Sequence, residues 1–448
     1  MNTAKKIPQH ARVLFTRNLA LAGAFALALG APALFAASEE SYDPYTSEMA
    51  YTPLNSAARD GASNFLTYPF ELVRWPLNKT LDFLDEERIP QKTRYVFEKL
   101  EDNGIIPKLG VQATGVEIDL PRLLRLEDNL PADFVSNGWI YYGPEITFKT
   151  GLKEGFEPAD GAGFHAFGVL DYEKRSEEFF YGFGPDTSAG EGTSYETETT
   201  TLEARAGYTL ESAWKLDNVF AFRNINIGEA DDDDRGRVGN TFPAGSVPGF
   251  GGDKIITLGS EISWNGVRDT RNLDTPPLFR FGVDYNEGLD DSRARYLKFT
   301  TELAKSVTLG SPTRILAARF FGEHNNAFNG GETPFHQMPR LGGFGGYPLN
   351  SETMRGFVRG RFTDETAALF NLEYRYRIYQ FRNWTVTHAL FLDEGQTFKK
   401  FSTFQLKDFR ESYGTGFRLG YLHRVIFDFE VAHADEGTAF YFKNRQPF

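Results

Sequence analysis

Residues 366–380, "TAALFNLEYRYRIYQ", sort their side chains by parity. Ala368, Phe370, Leu372, Tyr374, Tyr376 and Ile378 occupy one set of alternate positions, and Asn371, Glu373, Arg375 and Arg377 occupy the other. A period of two places these sets on opposite faces of a β-strand. In a soluble sandwich the apolar face is core and the charged face meets solvent. In a membrane barrel the apolar face meets lipid and the charged face lines a polar lumen.

The same division recurs along the chain. In "YGTGFRLGY" (413–421), Phe417, Leu419 and Tyr421 oppose Arg418 and three glycines; in "RVIFDFEVA" (424–432), Val425, Phe427, Phe429 and Val431 oppose Arg424, Asp428 and Glu430. Leu202, Ala204, Ala206, Tyr208 and Leu210 oppose Thr201, Glu203, Arg205 and Thr209, and Leu297, Phe299 and Leu303 oppose Lys298, Thr300 and Glu302. Tyrosines fall toward the ends of many of these runs, where an aromatic girdle sits. Connections are short at Ser311-Pro312 and Leu422, but long and polar over 177–194, 228–253 and 324–363. Short turns at one rim and long loops at the other are the pattern of an outer-membrane barrel. The expected fold is therefore all-β, a transmembrane antiparallel β-barrel. About 13 strands can be placed after residue 108, and single-chain bacterial barrels use even numbers, so 16 strands are expected, with 14 as the alternative.

The first residues agree with this location. Lys5, Lys6, Arg12 and Arg17 precede the apolar run "LALAGAFALALGAPALFAA" (19–37), a basic region followed by a hydrophobic one and small residues suited to signal peptidase. Residues 1–37 are read as a secretory signal peptide, which fits export of a barrel expected in the outer membrane of a Gram-negative bacterium. The chain has no cysteine, so thiolate metal sites, disulfides and haem attachment are excluded. Removing the four basic residues of the signal from the 48 in the chain leaves 44 against 61 acidic groups, a formal charge of −17. Nucleic-acid binding rests on phosphate neutralisation, and so acidic a chain opposes it. The arginine-rich string "TMRGFVRGRFTDE" (353–365) must then serve another purpose.

Residues 38–107 lack the alternation. Leu77, Leu81 and Leu84, and then Tyr95, Val96 and Leu100, have helical spacing, with Pro76 and Pro90 as punctuation and Asn103-Gly104 as a stop. This segment is expected to be helical, either in the periplasm or in the lumen, ahead of a barrel over 108–448.

Glycine-rich "RLGGFGGYPLNSETMRGF" (340–357), the strand "NLEYRYRI" (371–378), "FLDEG" (391–395) and "YGTGFRLGY" follow one another in an order that resembles the C-terminal half of the BamA/TamA-like superfamily of outer-membrane barrels, also called bacterial surface antigens. In that family the long loop before the fifth-from-last strand folds into the lumen, and its Arg-Gly-aromatic tip docks on the acid of a Phe-x-Asp-x-Gly motif. The resemblance implies that loop 324–363 folds inward, that Arg355, Gly356 and Phe357 form its tip, and that Asp393 and Gly395 belong to the wall motif that receives it. "SEEFFYGFGPDTS" (176–188) and "ISWNGVRDTRN" (262–272) resemble two further family segments. "DEGTAFYFKNRQPF" (435–448), with Gly437, Phe440, Phe442 and Phe448, resembles the C-terminal signal by which barrels are recognised for insertion. Members that assemble or secrete proteins carry POTRA domains, each of about 75 residues with mixed strands and helices; residues 38–107 show no such pattern.

Physical chemistry supports the same pairing. An arginine fork accepts a carboxylate bidentately, and glycine at 356 lets the backbone turn sharply. Alternation through "WTVTHALFLDEG" (384–395) puts Asp393 inward, but it also turns His388 outward without an evident partner. Arg359 and Arg361 are expected to line the same acidic interior.

No enzyme is indicated. The histidines at 165, 324, 336, 388, 423 and 433 have no metal-ligand spacing, no nucleophile elbow is present, and "GGFGG" (342–346) lacks the Lys-Ser/Thr of a phosphate loop. Asp231 to Asp234 lack the alternating ligands of a calcium loop and read as a solvated surface segment. No cofactor or metal is expected. The expected partners are outer-membrane lipid and lipopolysaccharide, the barrel assembly machinery during biogenesis, and an unknown periplasmic protein. Three roles fit: a barrel that aids insertion or translocation of protein or lipid at the outer membrane, a passive or structural pore, and a surface antigen whose loops bind an external partner.

Overall fold

A computed structural model describes residues 95–448 except 97, 109–113, 127–128, 132, 144–147, 159–160, 211–212, 231–235, 243–244, 266–276, 345–351, 382, 423, 444 and 448. The signal sequence, most of the pre-barrel segment, the Asp231–Asp234 run and Phe448 lie outside the described residues. Residues 95–96 and 98–101 are helical, and the wall begins immediately afterwards.

Among the described residues, sixteen antiparallel strands form the wall. They are β1 (Ile105–Lys108), β2 (Thr114–Asp119), β3 (Phe134–Tyr142), β4 (Phe148–Phe156), β5 (Gly163–Phe180), β6 (Thr193–Thr209), β7 (Trp214–Gly228) and β8 (Asp253–Trp264). There follow β9 (Leu278–Gly288), β10 (Arg295–Thr308), β11 (Arg314–Ala327), β12 (Thr366–Phe381), β13 (Trp384–Phe398), β14 (Arg410–Tyr421), β15 (Arg424–Ala434) and β16 (Gly437–Lys443). Each strand pairs with its neighbour in sequence from β1 to β16. Among the described residues no ladder joins β16 to β1, so the sheet is not closed there. The sheet starts at Ile105, so the boundary expected at 107 falls within β1.

Register carries the alternation from strand to strand. On β12 and β13, Leu372 faces Leu392 and Tyr374 faces Leu390 on the outer surface, while Asn371 faces Asp393 and Glu373 faces Phe391 on the inner one. Leu170, Leu202, Leu258 and Phe440 are among the large apolar side chains left exposed on the outside, as lipid contact requires. Strict alternation is interrupted by ladder shifts at Arg377/Tyr379 and opposite Leu419/Gly420. The second shift inserts Ile426 as an extra residue on β15, so Val425, expected outside, is buried, whereas Ile426 and Phe427 are both exposed. His388 also finds a partner: its Nε2 lies 2.7 Å from Thr415 Oγ1 on β14, and its ring packs on Phe417 at 4.9 Å.

Most connections after even-numbered strands are short, such as 309–313 after β10 and 382–383 after β12, with 120–133 and 265–277 as longer exceptions; the two longest, 229–252 and 328–365, and also 181–192, follow odd-numbered strands and share the opposite rim. They are shorter than the sequence suggests, because pairing continues beyond the apolar band: Glu178 still faces Tyr195, and β11 runs to Ala327. The connection 328–365 crosses inside the barrel. Its own two-residue ladder, Arg340–Leu341 against Phe362–Thr363, supports a core of Phe321, Leu341, Met354, Phe357, Phe362, Ala367, Leu369 and Ala434 between the loop and the wall.

Candidate functional site

At the centre of the inward loop, Arg355 is fully buried. Its Nε donates to Asp393 Oδ2 and its Nη2 to Asp393 Oδ1, both at 2.7 Å, and its backbone N–H reaches Oδ2 at 3.0 Å. The guanidinium carbon lies over Phe391, 3.5 Å from the ring centroid, adding a cation–π contact to the carboxylate bonds. Asn371 Nδ2 donates to the same carboxylate at 2.9 Å and to the carbonyl of Thr353 at 2.9 Å, tying wall to loop a second time.

Beyond this pair the inward parity of four strands delivers a larger network. Arg355 Nη1 also donates to Glu373 Oε1 at 2.6 Å and to Glu430 Oε1 at 3.3 Å. Arg418 spans Glu373 through both Nη atoms at 3.0 Å, Asp428 at 3.1 Å and Glu430 at 2.7 Å. Arg375 Nε adds a 2.7 Å bond to Glu373 Oε2, and Lys443 contacts Glu430. Arg355, Arg375, Arg418 and Lys443 thus balance Glu373, Asp393, Asp428 and Glu430 in a buried cluster of zero formal charge. Isolated, each of these ions would be costly to bury; paired and hydrogen-bonded, they specify one position for the loop.

The neighbouring glycines fit closely. Gly356 has φ +89°, and a Cβ there would sit 3.1 Å from Ala434 Cβ, 3.2 Å from the His433 carbonyl carbon and 3.2 Å from Ser412 Cβ. Its N–H donates to Tyr441 Oη at 3.0 Å. A Cβ on Gly395 would meet Leu341 Cδ1 at 2.9 Å and Met354 Sδ at 3.0 Å. Phe357 is buried, edge-on to Phe362 at 5.1 Å. On β16, Phe440 and Phe442 point outward, with Phe442 packed on Phe429 at 4.8 Å, and Gly437 opens the strand with φ +145°.

The other two arginines of the string do not enter this cluster. Arg359 donates to the carbonyl of Glu177 near the end of β5 at 3.0 Å, and Arg361 binds Glu436 and Thr187 in the connections at the same rim. The glycine at 360 turns the chain with φ +63°, between the two arginines. Parity places Glu373, Arg375, Arg418, Asp428 and Glu430 on the inner face but does not say at what height, so their convergence on Arg355 is not visible in the sequence.

The rest of the lumen holds a polar cavity of about 660 Å³. Trp139, Lys149, Arg223, Asp284 and Lys298 line its walls, and His336 to Arg340 of the inward loop form its roof.

This arrangement, an open-edged antiparallel wall with a charged loop anchored inside, defines an outer-membrane β-barrel. Residues 158–431 match the Omp85 superfamily domain, and the chain belongs to that superfamily. Among solved structures, BamA from Haemophilus ducreyi lacking POTRA domains 1–3 is similar at 13% identity and a TM-score of 0.52, over 75% of this chain and 68% of that one. CdiB from Acinetobacter baumannii is similar at 10% identity and a TM-score of 0.42, over 74% of this chain and 56% of that one. CdiB from Escherichia coli is similar at 11% identity and a TM-score of 0.43, over 74% and 58% respectively. No curated protein sequence matches.

Proposed function

We propose that this barrel aids the insertion or translocation of protein or lipid at the outer membrane by parting its wall between β1 and β16, while Arg355 and its partners hold the inward loop in place. The observation that supports this reading is that, among the described residues, no ladder joins β16 to β1. The described strands bordering this edge are short, with 4 residues in β1, 6 in β2 and 7 in β16 against 18 in β5, so little described backbone pairing holds the edge strands to their neighbours.

The chain has no cysteine, so one cysteine in Ile105–Lys108 and one in Gly437–Lys443 can be joined by a reducible bis-thiol cross-linker without competing thiols. In proteoliposomes the cross-linked pair should block insertion of a test barrel protein, and reduction should restore it. Equal activity before and after reduction would remove the seam from the mechanism. The polar lumenal cavity favours a second reading, a passive pore, which requires ion conductance that is unaffected by the cross-link.

A further inference from the structure

The turn between β15 and β16, Asp435 and Glu436, stands at the rim that carries the long connections, at the outer end of the hairpin bordering the free edge. Two arginines grip it. Arg361, 1% exposed, places Nε 2.8 and 2.9 Å from the two Glu436 oxygens and donates from Nη1 to Thr187 Oγ1 at 2.6 Å; Nη2 reaches the Thr187 carbonyl. Its guanidinium lies against the rings of Phe362 at 4.7 Å and Tyr181 at 5.3 Å, which hold it between the two loops. Arg410, at the start of β14, donates to Asp435 Oδ2 at 2.9 Å, to the carbonyl of Pro185 at 2.8 Å and to Asp186 Oδ1 at 3.4 Å. Each guanidinium therefore touches both the last hairpin and the β5–β6 connection. The inward loop joins the same assembly where Gly184 N–H donates to the Thr363 carbonyl at 2.9 Å.

We propose that Arg361 and Arg410 form a releasable clasp that ties the outer end of the β15–β16 hairpin to the β5–β6 connection and holds the free edge of the wall still. The inner end of the same hairpin is tied to β14 by Arg418, which donates to Asp428 and Glu430, groups that are all buried. The outer tie differs in kind. Asp435 is 55% and Asp186 93% exposed at the side chain, Glu436 is 24% exposed, and Arg410 is 32% exposed. Exposed pairs are weakened by water and salt, whereas buried ones are largely shielded from both. The outer end is thus the end whose side-chain ties yield first, leaving the turn and β16 held there only by the β14–β15 and β15–β16 ladders. Ten strand-to-strand steps separate β5 from β15 along the wall, so release frees the edge without disturbing the intervening ladder. This motion does not depend on which substrate uses the barrel.

Hydrogen–deuterium exchange on the full chain in lipid nanodiscs tests the clasp. Glu436→Gln, Asp435→Asn and Arg410→Gln each remove one arm at a partly exposed position, so a folded barrel is retained. The clasp predicts that amides of 434–440 exchange ~10-fold faster in Glu436→Gln combined with Asp435→Asn, and faster to a lesser degree in Arg410→Gln, while those of β12 and β13 keep the parent rate. Raising salt from about 0.05 to 1 M should reproduce the effect in the parent and add nothing in the double variant. Unchanged exchange in the hairpin, an equal rise in every strand, or a parent hairpin indifferent to salt would overturn the proposal.

Discussion

Arg355 and Asp393 meet fork to fork, through two 2.7 Å bonds made by Nε and Nη2, although 38 positions separate them in the chain. Both are fully buried, and the arginine's backbone N–H completes a third bond to the same carboxylate. Either partner alone would be a charge enclosed in the lumen with its counter-ion missing.

Arg355→Ala and Asp393→Asn are therefore expected to destabilise the barrel by about 3–5 kcal/mol each. The double variant should cost less than the sum, because the second change removes the charge that the first left exposed to burial. Arg355→Lys should not rescue the pair, since an ammonium cannot reproduce the planar fork. Urea unfolding in detergent, read by the mobility of unheated protein on gels, measures all four; additive losses would show that the two residues act separately.

Gly356→Ala is expected to cost about 1–3 kcal/mol, because an L-residue is strained at φ +89° and its methyl would press on Ala434 and Ser412. The thermal midpoint should fall. The loop contacts of Arg361 should persist, so protease sensitivity should appear around 353–358 before it appears at 359–363.

The roof of the lumenal cavity belongs to the same loop as Arg355, which links anchoring to permeability. In planar bilayers Arg355→Ala and Asp393→Ala should raise conductance to a similar level. A leaky variant at one position with a parent-like variant at the other would mean that the loop is not held by this pair.

His336, in the roof of the lumenal cavity, supplies a pH dependence. Burial is the main cause holding its imidazole below the ordinary 6.5, although Asp253 favours the charged form through a 2.7 Å contact at Nε2. The unfolded chain takes up the proton more readily than the folded one. The associated stability is fully present above about 6.5 and declines as pH falls from there toward the lower folded value. Thermal midpoints between pH 7 and 5 should fall more steeply in the parent than in His336→Gln.

Much of the fold was legible in the sequence. Parity in 366–380, 413–421 and 424–432 gave the faces, and the even-number rule raised the count to the sixteen strands found. The limits were equally physical. A bulge is a local change of register that composition does not announce, and Ile426 moved Val425 off its expected face. Arg355 and Asp393 were linked in the sequence through motif resemblance; alternation alone supplied only the inward direction of Asp393. The partners of Arg361 lie at Thr187 and Glu436, on connections that periodicity cannot bring together.

The buried charges are dispersed along the chain in an order that bears on how the barrel is completed. Arg355, Glu373, Arg375, Asp393 and Arg418 precede β15, whereas Asp428, Glu430 and Lys443 come from the last hairpin. Before that hairpin docks, three guanidiniums face only two carboxylates, and the lumen carries an excess positive charge. Docking brings two acids and one amine and restores neutrality. Without the final hairpin these groups are one positive charge out of balance, and Arg355 has its full set of partners only with β15 in place.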